Sequence, residues 1–128
     1  MNCPEELKYS DQHEWVKVEG TVAVVGITDY AQEALGDLTF VELPFDGDDC
    51  TKDEEACSIE SAKAASGIYA PVSGTIAEVN SELEDSPELV NSDPYGQGWL
   101  FKIEMSDPSQ LDGLMDVAAY KAFLAEQE

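Results

Sequence analysis

Glu60 to Gly74 reads ESAKAASGIYAPVSG, which sets one lysine, Lys63, among small side chains. Short apolar runs lie on both sides of this stretch, and two strand-like runs separated by a few small residues are typical of a β-hairpin. The pattern predicts a hairpin over about residues 56–79, with Lys63 at or beside its turn. The alanine and serine neighbours leave the amine open to a modifying enzyme or to a partner's pocket.

A solvated turn lysine is the alternative interpretation of Lys63. Most single lysines are ordinary surface residues. The composition weakens that alternative, because the chain has only six lysines and no arginine. Glu60 and Pro71 also border this small-residue turn. The stretch therefore favours an exposed attachment site.

The composition predicts a folded and strongly acidic protein. The chain has 128 residues, 43% of them hydrophobic, and a formal net charge of −22. This length fits one domain, residues 1–128, with a modest core. The charge argues against nucleic acid and anionic membrane surfaces as partners, because like charges repel. Partners with basic docking faces are expected; an acidic surface that only keeps a small carrier in solution is the alternative.

The sequence carries no recognisable catalytic or metal-binding motif. One histidine, His13, cannot supply a multi-histidine site, and Cys3, Cys50 and Cys57 have no metal-ligand spacing. We expect no catalytic residues, no resident metal and reduced cysteines. No apolar run approaches the length of a membrane span, and residues 1–6 resemble no targeting peptide. We expect a cytoplasmic protein, with a mature mitochondrial protein as the alternative.

The remaining pattern predicts short antiparallel strands in two packed sheets, with helices at the periphery and at the carboxyl end. The predicted strands outside the hairpin are 14–18, 21–27, 38–43 and 99–105, and 75–79 follows the break at Gly74. Thr28 is predicted to cap a helix over 29–35 that ends at Gly36. Ser86 is predicted to cap a second helix, with Pro87 at its first position. Val117, Tyr120 and Leu124 are predicted to share one face of a terminal helix.

The stretch around Lys63 resembles the lipoyl-attachment hairpin of the glycine cleavage system H protein family. Further segments resemble that family in its own order, over about residues 7–124: 13–16, 25–32, 35–37, 40–44, 85–91 and 93–96. The resemblance implies a mainly β, lipoyl-domain-like fold, a flattened barrel or sandwich with the lysine at a hairpin tip. It also implies lipoic acid bound covalently to Lys63.

The resemblance implies a carrier and not an enzyme. Such a carrier receives an aminomethyl group from a pyridoxal-phosphate-dependent glycine decarboxylase and passes it to an aminomethyltransferase. Dihydrolipoamide dehydrogenase reoxidises the arm, and a lipoate-attaching enzyme installs it. A monomer without nucleic acid or membrane partners is expected. An H-like protein that donates lipoyl groups to other proteins is the alternative.

The resemblance also implies a surface on which the loaded arm docks, at Gln12, Glu14 and Gly67. Glu14 is the expected carboxylate partner of the arm's amine, with Trp15 beside it as a shield; a solvated strand residue is the alternative. The family often has aspartate at position 67, so Gly67 predicts that one anionic contact is missing. Asp53 stands where the family usually has a turn glycine, which predicts some backbone strain.

Overall fold

Two antiparallel β-sheets form the body of the protein in a computed structural model, which describes residues 4–127. The strands are β1 Lys8–Tyr9, β2 Glu14–Glu19, β3 Val22–Ile27, β4 Leu38–Glu42, β5 Asp49–Cys50, β6 Glu55–Ser61, β7 Ala65–Tyr69, β8 Gly74–Val79 and β9 Phe101–Met105. The helices are α1 Asp29–Leu35, α2 Glu82–Asp85, α3 Leu89–Ser92, a 3₁₀ helix Pro108–Gly113 and α4 Val117–Gln127. The larger sheet has the order β1-β2-β3-β9-β8-β5, and the smaller sheet has the order β4-β6-β7.

The main hydrophobic core lies between the two sheets. Both sheets contribute buried aliphatic side chains to it, among them Val16, Val25 and Ile103 from the larger and Val41, Ile59 and Ile68 from the smaller. Burying one such side chain fully stabilises the fold by about 1.5–3 kcal/mol. The expected mainly antiparallel β fold with peripheral helices is confirmed. Over residues 4–127 the two sheets form a sandwich and do not close into a barrel.

The last strand and the last helix follow the predicted patterns. In β9, Phe101, Ile103 and Met105 are buried, whereas Lys102 and Glu104 are not, which confirms the alternation. In α4, Tyr120 and Leu124 are buried against β1 and β2, in a second cluster that includes Leu7, Tyr9 and Trp15. The two faces of β2 therefore serve different cores.

Helix α1 begins and ends as its sequence predicts. The Thr28 hydroxyl accepts a hydrogen bond from the backbone N–H of Ala31 at 3.3 Å. Gly36 ends the helix with a φ of 79°, a conformation that glycine adopts with little strain. Asp53 has a φ of 71°, which bears out the expected strain, because a non-glycine residue rarely adopts positive φ.

The predicted helix start at Ser86 is wrong. Ser86 instead ends α2: its φ is −135°, and its backbone N–H donates a hydrogen bond to the carbonyl of Glu82. Helix α3 begins only at Leu89. Proline disfavours a helical conformation in the residue before it, so Pro87 interrupts the helical segment. Helix α2 was not predicted; its residue Leu83 is fully buried and packs in the main core. The short β5 was also not predicted.

Two cysteines lie in the described part of the chain, and both are free thiols as expected. Cys57 is buried on β6, and burial raises the pKa of its thiol. Burial likewise raises the pKa of Cys50. A raised thiol pKa lowers the thiolate fraction at neutral pH, so both side chains are poorly reactive. Cys3 lies outside the described residues.

Candidate functional site

Lys63 lies in the turn that joins β6 to β7, and its side chain is exposed. Ser61 closes this turn: its N–H donates to the carbonyl of Ala64 at 2.7 Å, and its hydroxyl accepts from the N–H of Ala64 at 3.1 Å. The backbone under the lysine is therefore fixed while its side chain projects from the sheet. Such a turn combines a rigid base with a free amine.

The stem of Lys63 passes the carboxyl end of α1. A Cβ atom built on Gly36 would lie 3.4 Å from the Lys63 Cε and 3.9 Å from its Nζ. Glycine at this position permits the positive φ that ends the helix, and its lack of a side chain leaves room for the lysine. The carboxyl end of a helix carries partial negative charge, which suits a neighbouring ammonium group.

Asn91, on α3, holds the chain segment beneath Lys63. Its amide nitrogen donates to the carbonyl of Gly36 at 2.8 Å and to the Gln32 Oε1 at 3.1 Å. Its amide oxygen accepts from the N–H of Leu38 at 2.9 Å. One side chain therefore joins α1, the connection after it and the start of β4.

A cavity of about 180 Å³ runs beside α1. Its apolar lining consists of Ile27, Tyr30, Ala31, Ala34, Leu35 and Ile68. Its polar lining is Gln12, His13 and Ser66. The cavity therefore borders α1 on one side and β7 on the other, and Lys63 lies where these two elements meet.

Tyr120 fixes His13 at one end of this cavity. His13 has a φ of 67°, and its Nδ1 is hydrogen-bonded to the Tyr120 hydroxyl at 2.9 Å. The same hydroxyl lies 2.7 Å from the Thr28 Oγ1. Burial lowers the pKa of His13, and the charge of Asp11 partly opposes that shift. The terminal helix thus fixes both the cavity's imidazole and the cap of α1.

Glu14 is a buried carboxylate beside the cavity, and it is not one of its lining residues. It is 1% exposed, so the interpretation as a solvated strand residue is wrong. Ser10 Oγ donates to one carboxylate oxygen at 2.6 Å, and the N–H of Tyr69 donates to the other at 3.2 Å. Desolvation outweighs these hydrogen bonds and raises the pKa of Glu14 to about 7.

Trp15 does not shield Glu14, contrary to the sequence interpretation. Successive side chains of a strand point to opposite faces of the sheet. Glu14 faces β7, whereas Trp15 belongs to the second cluster under α4, and its indole N–H donates to the carbonyl of Pro94 at 2.9 Å. The shielding of Glu14 comes from the interior of the sandwich.

Gly67 faces away from the cavity. Ser66 and Ile68 line the cavity, and Gly67, between them on β7, points to the outer surface of the smaller sheet. A Cβ atom built on Gly67 would collide with the carboxylate of Glu55. A carboxylate therefore already lies at position 67, supplied by β6. The structure brings Gln12 and Glu14 to one end of the cavity and leaves Gly67 on the other face.

The sequence did not assign Asn91 or Tyr120 to the site, and it did not predict the cavity beside α1. The hydrogen bonds of Asn91 and Tyr120 join residues that are far apart in the chain, so no local pattern signals them. Asn91 does lie in the segment 85–91 that resembles the family, which is the only available hint. The cavity is lined by α1, β7 and residues 12–13 and 27, which lie far apart in the chain.

A sandwich that presents an exposed lysine on a fixed hairpin turn, beside an apolar groove, has the arrangement that a carrier protein needs. The family model described as Glycine cleavage H-protein matches residues 7–127. The chain belongs to the glycine cleavage H-protein family.

Curated relatives and a solved structure agree with this assignment. The chain is 53% identical to the glycine cleavage system H protein of Symbiobacterium thermophilum over 125 residues, 98% of each chain. It is 54% identical to that of Staphylococcus carnosus over 126 residues, 98% of this chain and 100% of the relative. A crystal structure of a glycine cleavage system H protein from Mycobacterium marinum superposes with a TM-score of 0.88 at 36% identity, covering 96% of this chain and 99% of that one.

Membership of the family establishes the class of function. The protein is a lipoyl carrier of the glycine cleavage system and not a catalyst, and it acts with the other components of that system. Proteins of this family carry lipoate. Among the described residues, no helix is long and apolar enough to cross a membrane.

Proposed function

We propose that lipoic acid is bound to Lys63 through an amide bond. The observation that carries this proposal is the position of Lys63, exposed at a turn that Ser61 fixes on both sides. Attachment needs an accessible amine, and a carrier then needs a long flexible arm on a rigid base. The dithiolane supplies the redox and group-transfer chemistry when it is bound, and this chain supplies its base and its surroundings.

Intact mass and peptide mapping test the attachment. Protein incubated with lipoate, ATP and a lipoate-attaching enzyme is expected to gain one lipoyl group, located on Lys63. Lys63→Arg is expected to abolish the adduct, whereas the control Lys52→Arg, which also changes a lysine next to a turn, leaves it intact. An adduct that persists in Lys63→Arg overturns the assignment.

The carrier cycle is the second part of the proposal. The arm receives an aminomethyl group from a pyridoxal-phosphate-dependent decarboxylase, yields it to an aminomethyltransferase and is reoxidised by dihydrolipoamide dehydrogenase. Relatives matched over 98–100% of their chains support residues 1–128 acting as one domain, and we propose that it is a monomer. These relatives are bacterial, which supports a cytoplasmic location. Glycine-dependent reduction of the arm that required no added decarboxylase would contradict the proposal.

The cavity beside α1 is the proposed resting place of the arm. Its apolar lining suits a hydrocarbon chain and a dithiolane, and it begins near Lys63. Its far end holds Gln12 and His13 and adjoins Glu14. A buried carboxylate with a raised pKa gains more than an exposed one from an approaching cation. Glu14 is therefore the proposed partner of the amine carried on the arm.

Filling the cavity tests this resting place. Ala34 lines the cavity and is exposed, so Ala34→Leu is expected to occupy it without disturbing the core. Spontaneous loss of the aminomethyl group, measured without the transferase, is expected to speed up several-fold. Glu33→Leu adds the same side chain to the neighbouring exposed position of α1, outside the cavity, and is the control. Equal rates in both variants and the parent would show that the arm rests elsewhere.

A further inference from the structure

We propose that the outer surface of the smaller sheet, centred on Phe40, is the docking surface for the enzyme that acylates Lys63. This inference rests on the proposed attachment of lipoic acid to that lysine. The surface is called the Phe40 face, and it consists of Phe40, Glu42, Ser58, Glu60, Ala65 and Gly67, with the Glu55 carboxylate over Gly67.

Strand register places the Phe40 face directly below the attachment turn. Phe40 pairs with Glu60, and Glu60 pairs with Ala65. Glu42 pairs with Ser58, which pairs with Gly67 in the same way. Along the hairpin, these two rows of paired residues come directly after the turn that carries Lys63. The Phe40 face and the turn therefore belong to one continuous surface.

A β-bulge turns Phe40 outward. The register of β4 against β6 shifts between Leu38 and Phe40. Leu38 and Val41 are both buried, at 4% and 3% exposure, whereas Phe40 is 49% exposed. A regular strand would alternate strictly, so the bulge is what keeps the aromatic ring out of the core. Bulges commonly re-aim a side chain near a functional site.

The charge around Phe40 identifies the kind of partner. Glu42, Glu55 and Glu60 are exposed, and the ion pairs found among residues 4–127 use other carboxylates, those of Glu19, Asp53 and Glu78. An exposed aromatic ring on the same face as carboxylates without an ion-pair partner fits an apolar pocket with a lysine- or arginine-rich rim. The face therefore suits a basic protein surface and not a second copy of this acidic chain.

The reach of the lysine selects the acylating enzyme among the possible partners. Acylation forms a bond between the Lys63 Nζ and the lipoyl carbonyl carbon. It breaks the bond from that carbon to the leaving group, which is AMP when the donor is an acyl-adenylate and a thiol when the donor is a thioester, and the amine loses a proton. The enzyme must bring this carbonyl to a side chain of four methylene groups, so it must cover the turn and the rows below it. Enzymes that act on the distal end of the arm need not approach so closely.

Phe40→Ala tests the apolar part of the surface. The unlipoylated protein is incubated with lipoate, ATP and a purified lipoate-attaching enzyme, and adduct formation is followed by intact mass. We expect kcat/KM to fall by about tenfold, mainly through KM, as for loss of an interface anchor. Phe45→Ala is the matched control: Phe45 is 77% exposed and lies outside the Phe40 face, so a change of less than about twofold is expected.

Glu42→Gln combined with Glu55→Gln tests the charge. This pair leaves Glu60 and the turn untouched, and we expect a lower kcat/KM with a weaker dependence on salt. Glu6→Gln combined with Glu126→Gln makes the same change in net charge at exposed sites elsewhere and is expected to retain the parent's salt dependence.

The outcomes separate this inference from the proposed attachment. If the parent protein is not acylated on Lys63, the proposed function fails. If the parent is acylated and Phe40→Ala and Phe45→Ala react at the parent's rate, the docking surface is refuted while the attachment stands. If Phe40→Ala is acylated normally but supports glycine cleavage slowly, the face belongs to a different enzyme. If the parent protein self-associates and Phe40→Ala does not, the face binds a second copy of the chain. Either result overturns the inference.

Discussion

The side-chain amide of Asn91 donates to the carbonyl oxygen of Gly36 across 2.8 Å, and Gly36 lies against the stem of Lys63. A helix late in the chain therefore holds the surface on which the attachment lysine rests. The oxygen of the same side-chain amide accepts a hydrogen bond from the N–H of Leu38, at the beginning of β4. The base of the arm thus depends on contacts outside the hairpin that carries it.

Asn91→Ala is expected to destabilise the protein by on the order of 3 kcal/mol. It removes the partners of the Gly36 carbonyl and the Leu38 N–H, and a buried polar group left without a partner costs about 1–3 kcal/mol. Urea unfolding measures the change in the free energy of unfolding. Ser92→Ala, at the next and exposed position of α3, is the control and is expected to change it by less than about 0.5 kcal/mol. Equal midpoints for the two variants would show that Asn91 is not a support.

Glu14 is expected to make stability depend on pH between about 4.5 and 7. Its pKa in the folded protein is about 7, above the value of 4.5 for the free side chain, so the folded state binds the proton more tightly. Its contribution to stability is therefore fully present below pH 4.5 and is lost as the pH rises through 7. A shift of this size corresponds to on the order of 3 kcal/mol.

Glu14→Gln isolates this contribution, because glutamine has nearly the same shape and does not ionise. Its amide oxygen can accept from the Tyr69 N–H, and its amide nitrogen donates toward the Ser10 hydroxyl, where the carboxylate accepted. The difference in free energy of unfolding between Glu14→Gln and the parent is expected to grow in favour of the variant from pH 5 to pH 8. Urea titrations at several pH values measure it. Glu19→Gln, an exposed change on the same strand, is expected to follow the parent, and a parallel course for Glu14→Gln would contradict the assigned pKa.

The sequence predicts those features of this fold that local patterns encode. The cap and end of α1, the alternation of β9 and the buried face of α4 each depend on residues within a few positions of one another. The helix expected to begin after Ser86 begins two residues late, at Leu89 with Glu88 as its N-cap, because Ser86 ends the preceding helix α2, which the capping pattern did not reveal. Resemblance singled out Glu14 as the carboxylate partner of the arm, but its burial depends on β7, which no pattern around residue 14 can show.

The parts of the site that could not be predicted are long-range contacts. Resemblance suggested that Gly67 leaves a carboxylate missing, whereas Glu55 reaches across from β6 to cover the glycine. That arrangement depends on the bulge between Glu55 and Cys57, which places the side chain out of simple alternation. Bulges of this kind are set by the pairing of strands and not by the residues of one strand alone.

Tyr120→Phe is expected to destabilise the protein by about 1–2 kcal/mol. The variant loses the hydroxyl that joins His13 to Thr28, and each such hydrogen bond contributes about 0.5–1.5 kcal/mol. The ring remains, so its stacking on Tyr9 at 4.5 Å is retained. Urea unfolding measures the loss. Tyr69→Phe removes a hydroxyl from a half-buried ring in β7 and is the control; an equal effect in both variants would show that the Tyr120 bridge contributes nothing of its own.

Gly67→Asp and Gly67→Ala together decide what the carboxylate of Glu55 does for the loaded arm. Both substitutions add a Cβ that displaces Glu55 from its position over residue 67, and displacing the end of a flexible side chain costs little. Only the aspartate restores a carboxylate at that position. Because residue 67 faces away from the cavity beside α1, in which the arm is proposed to lie, both variants are expected to release the aminomethyl group at the parent's rate. The rate of spontaneous loss, measured without the transferase, tests this expectation. Faster release from Gly67→Ala, with the parent's rate or a slower one in Gly67→Asp, would show that a carboxylate at position 67 retains the aminomethyl group and would contradict the proposed position of the amine beside Glu14.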